Sequence, residues 1–523
     1  MSTENGGPGE SDPSESFTQG TEDDEPRISF YGGRGMSAFP IAFFILWAVA
    51  QTALWRISDT GGLVVGILLG LIFGMFFVRG SWKTYANTIF EGMTQPVAVT
   101  AIVAWIWAGM FAELLQDGGF VDGLVWLADV GGIGATLFPA ATFVLAALFT
   151  TGIGTGYGSA IAFVTLFFPA GLLLGANPIL LFGAILSGSI FGDNLAPVSD
   201  TTIVSAVTQD ADIGGVVASR FKYVIIAAVI AFVGYLVAGQ FMGGLEIGGD
   251  AQELLVAQSE PIGLIHLVSM GVVIGAAVAG RHIVEAISWG IVVAAVSGLT
   301  LGLLSLGDIV MFNAPEDAPL AEPLEFLPIL TIVEDPDAVN VDGSLINGAA
   351  GFFELAILVL LIIAAAQIMI RGGAFQAILD WSIENLATNV RNAELTMVGS
   401  AALINAVITI NTAAEVAIGP YISKIGERFN LNGYRRANIL DAQTAALGYI
   451  FPWSGGVLAG FTAMQDLPGE YDWLTADMLA TPIEVVPFVF QGWLLVAVFV
   501  VAAITGFGRE YVIDRESEEV ARL

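Results

Sequence analysis

The chain contains no cysteine, and that absence removes disulfides, thiolate nucleophiles and cysteine-bound metals from its chemistry. Histidine is nearly as scarce: only His266 and His282 offer imidazole, and two residues so far apart do not make a transition-metal cluster. Basic residues are few, 17 Lys plus Arg against 49 Asp plus Glu, and Lys83, Lys222 and Lys424 are the only lysines. A formal net charge of -32 argues against a nucleic-acid partner and describes an acid-rich surface suited to concentrated salt, as in a halophilic source. The opening stretch MSTENGGPGESDPSESFTQGTEDDEP has almost no apolar content and no basic n-region, so it reads as a disordered acidic tail and not as a signal peptide. Charge is sparse elsewhere as well. With 13% charged and 55% hydrophobic residues, the chain is too apolar for an ordinary soluble protein and long enough for about ten spans.

Apolar windows fall at about 37–55, 60–79, 96–117, 178–206, 222–243, 262–280, 283–306, 350–370, 438–462 and 486–507. Two more apolar stretches, 133–175 and 396–424, are interrupted by TTGIGTGYGS and NAVITINTAAE. The arms of the second are only about 13 residues long, so both stretches read as re-entrant hairpins. The expected fold is therefore an all-α polytopic membrane protein of about ten transmembrane helices plus two re-entrant hairpins. Basic residues support this count. With the N-terminus cytoplasmic, Arg27, Arg34, Arg79, Lys83, Arg220, Lys222, Arg281, Arg371, Arg391, Lys424, Arg428, Arg435, Arg436 and Arg509 fall inside and only Arg56 falls outside, while the acidic loops face out.

The order of parts repeats. A span ending at Gly118–Gly119 is followed by a hairpin and a polar-interrupted span, and the same order follows Gly372–Gly373. Five spans per half is an odd number, so the halves are expected to be inverted repeats with broken helices. The expected organisation is a disordered acidic cytoplasmic tail at 1–36, a first repeat at 37–247, an external loop at 248–261, a second repeat at 262–507 with an acidic external loop at 308–347, and a cytoplasmic tail at 508–523.

An ionised carboxylate inside a bilayer costs several kcal/mol, so Asp193, Asp200, Glu415 and Asp441 are functional candidates. In GSIFGDNLAPVSDTTIVSA, Gly188 and Gly192 are expected to loosen the helix and Pro197 to break it, so that the span unwinds over 193–199. Freed carbonyls would then stand beside Asp193, Asn194, Ser199, Asp200, Thr201 and Thr202, all hard oxygen ligands suited to a hard cation or a proton. The blander alternative makes Asp200 a helix-start residue after Pro197, which leaves Asp193 unexplained. The glycines around Gly154 follow no strand, so they suit a hairpin tip with Thr155 and Ser159 as ligands better than a nucleotide loop. Asn405, Thr409, Asn411 and Thr412 hold the matching tip of the second half, close to Glu415. His266 reads as a packed polar residue, and the Trp and Tyr residues near span ends as interfacial anchors.

At GDNLAPVSDTT, residues 192–202, the sequence resembles the NhaC family of sodium/proton antiporters, whose hallmark here is close to GD-[HN]-x-[SA]-P-[IVL]-SDTT. GTGYGS at 154–159 is similar to the family's GTSWGT, and LDAQTAALGYIFPWS at 440–454 to its EDSGT followed by IPWN. The sequence departs at Leu440, Ala442, Gln443, Ser454 and Gly156. The resemblance covers about residues 37–507. It implies two inverted five-span repeats, with a transport domain moving against a scaffold. It also places Asp441 and Thr444 among the ion ligands and Pro452 at the second helix break.

The expected function is secondary antiport in the cell membrane, with both termini cytoplasmic: sodium leaves, protons enter, and Asp193 and Asp200 hold the sodium. No catalysis and no cofactor are expected beyond the transported sodium and proton. The partners are those ions and the lipid bilayer, and a homodimer is an admissible assembly. The rival of the same class is a sodium-coupled transporter or exchanger of a small organic acid or amino acid. An intramembrane aspartyl protease using Asp193 and Asp441 is disfavoured because Ile190 stands where its motif needs glycine. A passive channel has less use for ionisable ligands.

Overall fold

The computed structural model describes residues 28–55, 57, 59–197, 199–244 and 259–512. The expectations for the tail up to Arg27, for Arg56, for the external loop as far as residue 258 and for the C-terminal tail from residue 513 lie outside the described residues.

The first half comprises α1 (Phe39–Val49), α2 (Thr60–Met75), the short amphipathic α3 (Trp82–Met93), α4 (Pro96–Asp117) and α5 (Phe120–Val130). It continues with α6 (Phe138–Ile153), α7 (Gly156–Leu173), α8 (Pro178–Leu195), α9 (Asp200–Thr208) and α10 (Ile213–Phe241). After α11 (His266–Val278) and α12 (Ile283–Leu301), the long connecting segment folds into a three-stranded sheet of β1 (Met311–Pro315), β2 (Leu330–Val333) and β3 (Val341–Asp342). In it β1 is central, parallel to β2 and antiparallel to β3, a small exception to an otherwise helical fold. The second half then runs through α13 (Ser344–Ala350), α14 (Phe353–Arg371), α15 (Ala374–Asn385), α16 (Val390–Ile408), α17 (Asn411–Arg428), α18 (Gly433–Leu447), α19 (Gly455–Glu470) and α20 (Phe490–Thr505).

Among the described residues, nine helices are long and apolar enough to cross a membrane, and α2 and α6 are apolar but shorter. Their starts carry local signals. Asn177, Asp212, Asn389 and Asn432 each accept a hydrogen bond from the backbone N–H three residues on, and Pro178 sits where a first-turn N–H has no helical partner to lose.

Three sequence expectations change. Residues 28–36 are not a loose tail: Ile28 and Phe30 are buried, and Phe30 bridges to Val78. The arms of the second hairpin are α16 and α17, of 19 and 18 residues, so it extends beyond 396–424 on both sides. The stretch 438–462 divides into α18 and α19 with a break between them that contains Pro452, as its expected helix break requires. The span expected from 222 begins at Ile213, because Asp212 caps a helix whose first turns include the charged run SRFK. That shift moves Arg220 two turns inside the helix.

The two halves are joined by buried polar contacts as well as apolar packing. Gln209, after α9, donates Nε2 to the Gly419 carbonyl at 2.8 Å and its own carbonyl accepts from Arg436 Nη2 at 2.9 Å. Within the second half, Glu394 on α16 accepts from Arg435 Nε at 2.7 Å and from Arg509 Nη2 at 2.7 Å, and Tyr511 pairs with Leu431.

A candidate ion site at the broken helices

The break in the first half is narrower than expected. The helix α8 runs through Asp193 and Asn194 to Leu195, Ala196, Pro197 and Ser199 lie outside helical geometry, and α9 starts at Asp200. Pro197 lies inside the break, where its missing N–H costs nothing. Gly188 and Gly192, expected to loosen the helix, have another purpose. A side chain at 188 would come within 2.5 Å of the Ala146 methyl, and one at 192 would run into Thr150 and the Thr151 backbone. These glycines let α8 lie against α6, and the helix keeps its hydrogen bonding through both. Pro452 stands in the second break, between α18 and α19.

Both hairpins end in the same backbone turn. At the first tip Gly154 is left-handed and Thr155 extended before α7 begins at Gly156. At the second, Thr409 is left-handed with φ of 64°, and Ile410 is extended before α17 begins at Asn411. The α7 and α17 N-termini, with their positive dipole ends, are thus presented at the breaks. Tyr157, in the first turn of α7, accepts the Asn411 N–H at 3.1 Å, so one tip closes on the other.

Around these tips the acids are held by hydroxyls. Asp193 is 3% exposed; its Oδ1 accepts from Ser199 Oγ at 2.8 Å and its Oδ2 from Tyr449 Oη at 3.3 Å. Ser199 Oγ lies 3.0 Å from Thr201 Oγ1. Asp200 accepts from the Thr201 N–H at 3.0 Å and, across the halves, from Thr412 Oγ1 at 2.5 Å. It keeps solvent-accessible surface although protein crowds round it, which places it at a crevice. Glu415 accepts from Thr444 Oγ1 at 2.7 Å, and the Thr444 carbonyl accepts from Asn405 Nδ2 at 2.8 Å. Buried oxygens without hydrogen-bond partners include Asn194 Oδ1, Asn405 Oδ1, Glu415 Oε2 and Asp441 Oδ1.

The structure thus brings Asp193, Ser199, Asp200, Thr201, Thr202, Thr412, Glu415, Asp441 and Thr444 into one connected cluster. Thr155 and Ser159 are turned to local work: Thr155 caps α7 through the Gly158 N–H at 3.4 Å, and Ser159 Oγ donates to the Thr155 carbonyl at 2.8 Å. Asn194 spends its amide on Ile190 O. His266 lies buried with Nε2 3.2 Å from the Gly118 carbonyl, as a packed polar residue should.

Sequence reading missed three contributors. Arg220, counted there among cytoplasmic charges, is fully buried in an ion pair with Asp441. Tyr157 and Tyr449, to which the sequence reading gave no role, have rings 5.3 Å apart and tilted to one another, Tyr157 accepting from Asn411 and Tyr449 donating to Asp193. Their signal was their position inside GTGYGS and LDAQTAALGYIFPWS. Gly156 matches this arrangement, since a side chain there would strike the Tyr449 hydroxyl and come within 2.9 Å of Asp193 Oδ2.

The comparisons with known proteins agree with this architecture. Residues 34–240 and 218–493 both match the family described as the Na+/H+ antiporter family. The arginine/ornithine antiporter ArcD of Halobacterium salinarum is 26% identical over 493 residues, 90% of this chain and 94% of that protein. The malate-2H(+)/Na(+)-lactate antiporter of Bacillus subtilis is 26% identical over 43% of each chain. The Na(+)/H(+) antiporter NhaC of Alkalihalophilus pseudofirmus is 23% identical over 30% of this chain and 34% of that one. The chain therefore spans less than half of two of these three relatives and nearly all of the third. With matches covering residues 34–493 and a multi-pass helical fold, the chain belongs to the Na+/H+ antiporter family of secondary transporters.

Proposed function

We propose that the protein exchanges sodium for protons across the cell membrane by alternating access, with Asp193 and Asp200 as the groups that hold cation and proton in turn. One observation carries this reading. Asp193, Asp200 and Glu415 meet only hydroxyl and N–H donors, and among the described residues none of the three has a basic partner, since the one guanidinium in the cluster is committed to Asp441. Carboxyls without a fixed counter-ion need a mobile one, and sodium and a proton are the simplest that compete for the same oxygens.

Alternating access would follow from inverted repeats that trade conformations, with the hairpins and broken helices moving against the remaining spans and both termini cytoplasmic. The matching turns of the two tips and the two helix breaks support this picture. Proteoliposomes loaded with a pH dye test it: sodium added outside should drive proton movement in the opposite direction, and Asp193→Asn and Asp200→Asn should abolish that movement. Normal transport by both variants would remove the site.

A second reading is favoured by the nearly full-length relationship to a protein named as an arginine/ornithine antiporter. Exchange of a small amino acid or organic acid predicts counterflow of labelled arginine, ornithine or malate. Sodium alone should then leave internal pH unchanged.

A further inference from the structure

Arg220 lies where a cation would. Its guanidinium is surrounded by oxygens from α8, α9 and α18: Nη1 donates to the Asn194 carbonyl at 2.8 Å, a carbonyl at the helix break, and to Thr202 Oγ1 at 3.3 Å. Nη2 donates to Ser205 Oγ at 3.2 Å, and Nε to Asn438 Oδ1 at 3.2 Å. The Asp441 carboxylate completes the shell through Oδ2, and both side chains of the pair are fully buried. Carbonyl, hydroxyl and carboxylate oxygens are the ligand set of a hard monovalent cation.

Asp441 is only half used. Its Oδ1 is buried and has no hydrogen-bond partner. Its charged neighbours are Arg220 on α10, Asp193 on α8, Asp200 on α9 and Glu415 on α17. Thr202 ties the pair to the exchange site, because its hydroxyl also lies 3.4 Å from the Asp193 carbonyl and 3.4 Å from Asp441 Oδ2. A carboxylate with one free oxygen, beside three others that lack counter-ions, would attract a cation entering the site. The guanidinium already there opposes that capture.

We propose that Arg220 is a positioning residue that acts through Asp441: a resident cation that competes with the transported sodium for this carboxylate, so that the incoming ion is held by Asp193 and Asp200 and is released again. A purely structural ion pair would instead stabilise the fold without favouring ion release. The inference rests on the sodium–proton reading.

The test is sodium-driven proton movement in proteoliposomes, with KM and maximal rate measured separately and folding checked by size-exclusion profile. Arg220→Gln should lower the sodium KM about tenfold, a difference of about 1.4 kcal/mol, and also lower the maximal rate because release slows. Arg220→Lys, which keeps the charge, should restore a KM within about threefold of the original protein, about 0.6 kcal/mol. If Arg220→Gln does not fold because Asp441 is left unpaired, Asp441→Asn is compared with Arg220→Gln/Asp441→Asn. Asp441→Asn leaves a charge without its partner and should raise KM, and removing that charge in the double variant should lower it again. An unchanged or raised KM in folded Arg220→Gln, or equal KM values in that pair, overturns the inference. An original protein that moves no protons on sodium addition overturns the functional reading and the inference with it.

Discussion

Tyr449 and Asp193 are 256 residues apart in the chain and share a hydrogen bond of 3.3 Å, so the second helix break supplies a donor to the acid at the end of the first. Hydrogen bonds to charged groups contribute about 1.5–3 kcal/mol. Tyr449→Phe keeps the ring contact with Tyr157 and removes only the donor. Its sodium KM in the dye assay should rise roughly tenfold with the fold intact. An unchanged KM would assign Tyr449 to packing alone.

Thr412 links the second hairpin tip to Asp200 in the first half. Thr412→Val is nearly isosteric and should reduce the maximal transport rate about tenfold, the equivalent of about 1.4 kcal/mol. Thr412→Ser should retain most of it. Equal rates for the Val and Ser variants would show that the bridge has no part in the cycle.

A chain without cysteine accepts single reporter thiols. Asp200 keeps accessible surface while Asp193 is 3% exposed. A charged methanethiosulfonate reagent should therefore modify Asp200→Cys readily and Asp193→Cys slowly. Labelling at equal rates, read by mass spectrometry, would contradict the crevice.

The close approach of α8 to α6 depends on Gly192. Gly192→Leu forces side-chain volume into the Thr150 backbone, and overpacking of this kind costs about 1–3 kcal/mol or more. The expected result is loss of the monodisperse peak on size exclusion, with transport lost in proportion to the missing protein. A variant that stays monodisperse but transports nothing would move Gly192 into the ion site.

Glu510, beyond the last span, is partly desolvated, yet hydrogen bonds from Asn432, Lys222 and Ser219 hold its carboxyl below the usual carboxylate range. A lowered folded value means that this contribution is present above the unfolded value and is lost as pH falls through the folded one. Glu510→Gln should therefore lower the melting temperature at neutral pH, by the equivalent of about 0.5–1 kcal/mol for so exposed a cluster. The difference from the original protein should vanish on acidification. A difference that persists at low pH would point to lost packing.

The broken helix was legible because Pro197 and the acids around it violate the rules of a lipid-facing span, and the hairpins because polar tips divide apolar stretches. Span limits were less so. Arg220 lies near the start of an apolar run, and hydropathy alone cannot separate a charge at the interface from one buried two turns inside by a partner from the other half. Asp441 is that partner, 221 residues away. Gly188 and Gly192 were misread for a related reason: whether a glycine loosens one helix or admits another depends on α6, which local sequence does not reveal. Thr155 and Ser159 turned out to satisfy their own backbone, as hydroxyl residues at helix starts often do.

The two hairpin tips share one backbone shape but not one residue type. Glycine takes the left-handed position freely at 154, whereas Thr409 is a β-branched residue held at φ of 64°, a geometry that costs about 1–3 kcal/mol. The halves therefore enter any exchange of shapes on unequal terms. One tip can adopt or abandon its turn at little cost, while the other is under tension, like a spring compressed on one side of a balance. A conformation in which Thr409 left this turn would recover that energy, and the glycine tip offers no matching gain.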